Sequence, residues 1–209
     1  LAGESHVAGL MTGKAGILHL HLGDGSRGLQ LVNAALDASE IPPRVFNPTH
    51  VNRRRALFEE AMQLADRGAW IDLTAFPVGP AEDAWSAEDA LLRYLGAGLP
   101  AERITVSSDG GGCLPVFDAD GRVTDMDVGS PGALAAALRA LLDRGQPLER
   151  VLPAFTSNPA DLLRLPDKGR IEAGGDADLV VLNPNGDLTD VMALGRWHMV
   201  DGRAVVRGT

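Results

Sequence analysis

The sequence predicts an α/β protein. Three observations carry that prediction. Apolar strand-like segments alternate with amphipathic helical ones up to residue 145. They recur at the spacing of parallel βα units. From Gly169 onward the pattern changes to short β segments, the mark of a small β unit added to an α/β body.

The elements follow in order. The opening LAGESHVAGLMTGKAG is a helical stretch running into a Gly-Lys-Ala-Gly loop, and it reads as the interior of a longer chain. GILHLHL (16–22) is a first strand. SRGLQLVNAALDASE (26–40) places Leu29, Val32, Ala35 and Leu36 at helical spacing. PRVFNPTH (43–50) is a second strand. NRRRALFEEAMQLADRG (52–68) is an amphipathic helix stopped by Gly68. AWIDLTAF (69–76) is a third strand. SAEDALLRYLGAG (86–98) is a helix with Ser86 as N-cap and Asp89 at the third position, a capping-box-like start. AERITVSS (101–108) is a fourth strand. SPGALAAALRALLDRG (130–145) is a helix with Pro131 at its start and Gly145 past its end. ERVLPAFTSNPADLLRL (149–165) is helical with a break near Pro159. The tail holds ADLVVLN (177–183), DVMALGRW (190–197) and RAVV (203–206), with Asp201-Gly202 as a hairpin turn. Four βα units make half of an eight-fold barrel or most of a smaller open sheet, and periodicity alone does not choose.

Composition narrows the function classes. The 209 residues are 45% hydrophobic and 22% charged, which suits one large domain or part of a larger one. A net charge of -9 repels phosphate backbones, so nucleic-acid binding is disfavoured. The single cysteine, Cys113, excludes an internal disulfide framework and a Cys-rich zinc site, and fits a reducing, cytoplasmic setting. No apolar run has the length of a membrane span, and no signal peptide is visible.

Three residues that bind metals or move protons end predicted parallel strands: His21 in HLGDG, His50 in NPTHVNR and Asp109 in VSSDGGG. Side chains at the carboxyl ends of parallel strands face the ligand site. One βα unit separates the first two and two units separate the last two, so they converge on one rim. Imidazole and carboxylate suit zinc and similar ions. Taken singly, each reads first as an ordinary hydrogen-bonded strand end, and only the three in one register bring the ligand reading level with it. His19, two residues before His21, is read as a neighbouring contact rather than a paired ligand. Arg53 is placed to clamp a carboxylate, or else opens a solvated run, Arg53-Arg54-Arg55. Gly110-Gly111-Gly112 lacks the ending of a phosphate loop and reads as close approach of backbone to a substrate or metal. Cys113 has no obvious histidine partner, and His6 and His198 look incidental.

At this point the residues resemble a family. HLGDG, PTHVNR and SSDGGG, in this order and spacing, are similar to the fifth, sixth and eighth strand ends of an amidohydrolase barrel. TSNPADLLRLPDKGRIEAGGDADLVVLNP resembles the return from that barrel to its companion β-sandwich, and GRWHMVDGRAVVRGT the sandwich's last hairpin. The resemblance covers nearly the whole chain. PTHVNR, SSDGGG and the opening GLMTGKAG are more specific and resemble the zinc-dependent isoaspartyl dipeptidases.

The resemblance implies the C-terminal half of a (β/α)8 TIM-type barrel over residues 1–165 and the C-terminal strands of a small β-sandwich over residues 166–209. It implies a dinuclear Zn2+ site in which His21 and His50 hold one metal, while Asp109 binds the other and is the catalytic proton carrier. It implies that Arg53 grips the substrate α-carboxylate. Cys113 falls where the family carries a small hydroxyl residue beside the substrate, and a thiol donates a weaker hydrogen bond. The substrate implied is a small β-aspartyl dipeptide, and the full-length enzyme is expected to be a cytoplasmic homo-oligomer. The family's first-strand His-x-His pair and bridging carbamylated lysine are not among these residues, because Lys14 lies too close to His21 and Lys168 lies in the return to the sandwich. The stretch alone is therefore expected to be inactive. Two alternatives stay open: another amidohydrolase acting on cyclic amides, dihydroorotase-like or hydantoinase-like, and a non-catalytic scaffold.

Overall fold

A computed structural model describes residues 1–80, 82–117 and 122–206. Helix α1 (Ala2–Thr12) ends at Gly13, whose φ of 69° lets the chain turn into β1 (Leu18–His21). Then come α2 (Gln30–Asp37), β2 (Phe46–Thr49), α3 (Arg55–Asp66), β3 (Ile71–Thr74), α4 (Ala87–Gly96) and β4 (Ile104–Ser107). This is the predicted alternation. β1 pairs parallel with β2, and β3 parallel with β4, in unbroken register. β2 and β3 lie side by side, tied at one end by Trp70 N–H donating to Phe46 O (3.1 Å).

The helices cover one face of these strands because their apolar residues fall on one stripe. Leu29, Val32 and Leu36 are buried as the spacing predicts, and Ala35 packs against them. Leu57, Phe58, Ala61, Leu64 and Ala65 of α3 join Ile71 and Leu73 of β3 and Leu91 and Tyr94 of α4 in a single core. Ser86 caps α4 as expected: its Oγ accepts from Asp89 N–H at 3.1 Å and donates to the Asp89 carboxylate at 3.0 Å.

The strand faces turned away from this core are polar. Asp72 is 4% exposed and accepts hydroxyl hydrogen bonds from Thr49 (2.5 Å), Thr105 (2.5 Å) and Ser107 (2.6 Å), so one carboxylate ties β2, β3 and β4 together.

Three parts of the sequence reading need correction. An antiparallel hairpin, β5 (Cys113–Phe117) with β6 (Val123–Val128), stands between β4 and α5 (Ala133–Asp143) and was not assigned. Its cue is the alternation in Val-Thr-Asp-Met-Asp-Val; the Asp-Ala-Asp-Gly stretch between the strands lies outside the described residues. The break in the next helical region comes before Pro159. α6 (Leu148–Val151) passes into a 3-10 turn at Leu152–Phe155, and α7 (Ser157–Leu163) then begins. Pro159 sits in the first turn of α7, where its missing N–H costs nothing.

The third correction lies in the tail. Residues 190–197 are not one strand. β7 (Leu179–Leu182), β8 (Leu188–Ala193), β9 (Arg196–Val200) and β10 (Arg203–Ala204) form a four-stranded antiparallel sheet in the order β10-β9-β8-β7. Leu194 and Gly195 make a turn with both φ positive (48° and 74°). Such turns usually call for Asn or Asp first, and leucine hid this one. Asp201-Gly202 is the predicted hairpin turn, with φ of 48° and 72°. No helix among the described residues is long and apolar enough to cross a membrane.

Candidate metal centre

The carboxyl ends of β1, β2 and β4 carry His21, His50 and Asp109, and the fold brings all three to one place. One ligand atom from each lies within 4.8 Å of the other two. His21 Nδ1 and His50 Nε2 are 3.0 Å apart. Two nitrogens on one tetrahedral zinc, each about 2.0–2.1 Å from it, sit about 3.3 Å apart. The two imidazoles are therefore spaced to share a cation, and the donor set of two nitrogens and a carboxylate suits zinc or a similar divalent ion.

Two of the three side chains depend on left-handed backbone. His50 has φ 63° and Asp109 φ 47°, a region that non-glycine residues enter at a cost and that concentrates at functional sites. The supports explain how it is held. Asn52, wholly buried, donates through Nδ2 to Thr74 O (3.0 Å) and Trp85 O (2.9 Å), and its Oδ1 accepts from Thr74 N–H (2.9 Å). Its side-chain amide thus ties the turn after β2 to the end of β3 and pins the 3-10 turn Val51–Arg53. Thr74 in turn sets the His50 ring through a 2.7 Å contact between Oγ1 and Nδ1. The tautomer in which Nδ1–H donates to Thr74 leaves the Nε2 lone pair facing His21. Burial pushes the His50 pKa below its ordinary value. Asp109 and Asp72 oppose that shift, while His21 and Arg53 add to it. A lowered pKa keeps the ring neutral, the form that binds a metal.

The glycine run after Asp109 makes room for its side chain. A Cβ on Gly112 would lie 2.6 Å from the Asp109 carboxyl group. Gly112 N–H donates to Asp109 O at 2.8 Å, closing the turn. The approach seen here is to the Asp109 side chain, not to the substrate or metal that the sequence reading names.

The remaining predicted residues separate. Arg53 is not part of a solvated run. Its Nε and Nη2 donate to the two oxygens of Asp24, both at 2.8 Å, and its Nη1 donates to Leu22 O at 3.0 Å. Arg54 reaches Asp24 O (3.3 Å), and Arg55 lies over the Trp85 ring. Cys113 is exposed at the start of β5, opposite Val128. His19 is a neighbour of the cluster. Its Nδ1 contacts Asn47 Oδ1 at 2.6 Å and its ring meets His21 edge-on. Lys168 is held by Asp176 (2.8 Å) and Asp178 (2.5 Å). Asn52, Thr74 and Asp24 were not singled out from sequence. Asn52 had a cue in its place between His50 and Arg53; the other two had none.

Residues 80–198 match the amidohydrolase family. The chain belongs to it. Among solved structures, this amidohydrolase is similar to the β-aspartyl dipeptidase of Fervidobacterium islandicum AW-1 in complex with β-Asp-Leu dipeptide. The identity is 36%, the TM-score 0.89, and the match covers 99% of this chain and 54% of that one. It is also similar in fold to an atrazine chlorohydrolase variant from Arthrobacter aurescens TC1 complexed with zinc and atraton, at 16% identity and a TM-score of 0.56, covering 100% of this chain and 49% of that one. Among curated proteins, a dihydroorotase of Halobacterium salinarum is 40% identical over 70 residues, which is 34% of this chain and 16% of that protein. This amidohydrolase sequence thus spans about half the length of the solved relatives it matches.

Proposed function

We propose that this chain carries part of the active site of a zinc-dependent isoaspartyl dipeptidase, one that hydrolyses the iso-peptide bond of β-aspartyl dipeptides. The meeting of His21, His50 and Asp109 within 4.8 Å carries the reading. The likeness to a dipeptidase solved with β-Asp-Leu supports the substrate class. Residues 1–165 are read as the C-terminal half of a (β/α)8 barrel and residues 166–209 as the C-terminal strands of a β-sandwich. The uncovered share of the dipeptidase supports placing the rest of a dinuclear set outside these residues.

In this proposal His21 and His50 would hold one Zn2+, and Asp109 would bind the second. When bound, such a pair acidifies water and polarises a carbonyl. Asp109 accepts the proton released by the attacking water and delivers it to the departing amine. Thr74 holds the His50 ring in place throughout. Arg53 binds the free α-carboxylate that an iso-linked aspartate exposes, which orients its side-chain amide toward His21, His50 and Asp109. Cys113 lies beside the substrate as a weak donor. Lys168, doubly paired with aspartates, stays charged and is unsuited to carbamylation, which needs a neutral amine.

The test is hydrolysis of β-Asp-Leu by the native zinc-loaded protein and its Arg53→Met variant. The reading expects a strongly raised KM in the variant; an unchanged KM removes Arg53 from its role. A second reading, hydrolysis of a cyclic amide, is supported by the dihydroorotase match. Turnover of dihydroorotate or a hydantoin in preference to β-Asp-Leu would favour it.

A further inference from the structure

We infer that Asp24 is the positioning residue of the carboxylate site: it holds one edge of the Arg53 guanidinium so that the other edge is presented to substrate. The inference rests on the assignment of Arg53 as the substrate anchor and goes beyond it. Arginine has five N–H donors in a planar fork. Asp24 takes one on Nε and one on Nη2, and Leu22 O takes one on Nη1. Two donors remain, one on each terminal nitrogen, with no acceptor from any other described residue. Those two are open to a second carboxylate.

The placement of Asp24 has a consequence for register. Among the described residues, the acceptors on the Arg53 guanidinium come from residues 22–24, the segment directly after His21. Arg53 itself is in the turn directly after His50, with its N–H bonded to His50 O at 3.1 Å. The guanidinium therefore bridges the two strand ends that supply the imidazole pair. Holding it fixed fixes the distance from the carboxylate site to the metal site, which a dipeptide must span. Arg54 secures the same segment through Asp24 O. The Arg53 side chain is 30% exposed, so without Asp24 it would regain the rotamers of a solvated arginine.

An opposite role is chemically conceivable, with the Asp24 carboxylate occupying Arg53 until substrate displaces it. The free N–H on each terminal nitrogen favours the clamp, because substrate then needs no displacement. The experiment compares native zinc-loaded protein with Asp24→Asn, Asp24→Glu and Arg53→Met. Each is assayed on β-Asp-Leu and on the same dipeptide with its aspartyl α-carboxylate converted to carboxamide. Binding of the product L-aspartate is followed by calorimetry. The clamp predicts that Asp24→Asn raises KM for the acid substrate roughly 3- to 10-fold, the cost of re-ordering one long side chain. It further predicts kcat within about twofold of wild type, no change on the carboxamide, a parallel weakening of L-aspartate binding, and partial rescue by Asp24→Glu.

A KM that falls in Asp24→Asn overturns the clamp and makes Asp24 a competitor for Arg53. An equal rise on acid and carboxamide overturns it as a general structural effect. An unchanged KM in Asp24→Asn beside a raised one in Arg53→Met overturns it and leaves the anchor standing. An unchanged KM in Arg53→Met removes the anchor and the clamp together.

Discussion

Replacing Asn52 with alanine tests how the strand ends are held in register. The wild-type side chain makes three hydrogen bonds in a fully buried position, two donated and one accepted. Each such bond contributes about 1 kcal/mol net, and a buried group left without its partner costs about 1–3 kcal/mol. The truncation strands Thr74 N–H outright, while Thr74 O and Trp85 O each lose a donor. The expected destabilisation is about 3–5 kcal/mol. For a chain of this size each kcal/mol lowers Tm by about 2–4 °C, so the fall is roughly 6–20 °C. The effect reaches the metal site because the same amide pins the turn between His50 and Arg53. Zinc affinity, measured by competition with a chromogenic chelator at a temperature where the variant remains folded, should fall as well. Differential scanning calorimetry gives the first number. A Tm within about 1 °C of wild type would refute the claim that this amide carries the β2–β3 junction. A large Tm loss with unchanged zinc affinity would refute its coupling to the site.

Thr74→Val keeps the volume and removes the hydroxyl that orients His50; zinc affinity should fall about 10- to 100-fold, and an unchanged value by the same competition assay would show that the 2.7 Å contact does not set the ring. Tyr94→Phe removes the phenol that donates to Pro100 O at 2.8 Å in a side chain otherwise wholly buried. Chemical denaturation should show a loss of about 1 kcal/mol, and no loss would mean the bond is already replaced. Burial lowers the His50 pKa in the folded metal-free protein, so the unfolded chain binds the proton more readily. Stability therefore rises with pH between the folded pKa and 6.5, and is lost as pH falls through that window. His50→Gln should flatten the pH dependence of Tm there, and an identical profile in the variant would contradict the shift.

The alternation of strands and helices was legible because each helix hides one stripe and each strand is a short apolar run. The meeting of the three strand-end residues His21, His50 and Asp109 was legible because parallel topology sends carboxyl ends to one rim. What escaped is equally physical. The Leu194-Gly195 turn carries leucine at a left-handed position that sequence rules reserve for other residues. The β5–β6 hairpin is short, and all of β6 is exposed, so the alternation in Val-Thr-Asp-Met-Asp-Val faces no core and is a weak cue. Asn52 and Thr74 are ordinary polar residues whose importance lies in contacts made across 22 positions of sequence. Asp24 lies between two glycines with nothing in the sequence to single it out, and its cue is the bidentate contact with Arg53.

Anomalous diffraction at the zinc edge from crystals of the native protein tests the central claim most directly. The account predicts a peak about 2.0–2.2 Å from both His21 Nδ1 and His50 Nε2. A zinc-loaded crystal with no peak between those two imidazoles would contradict it.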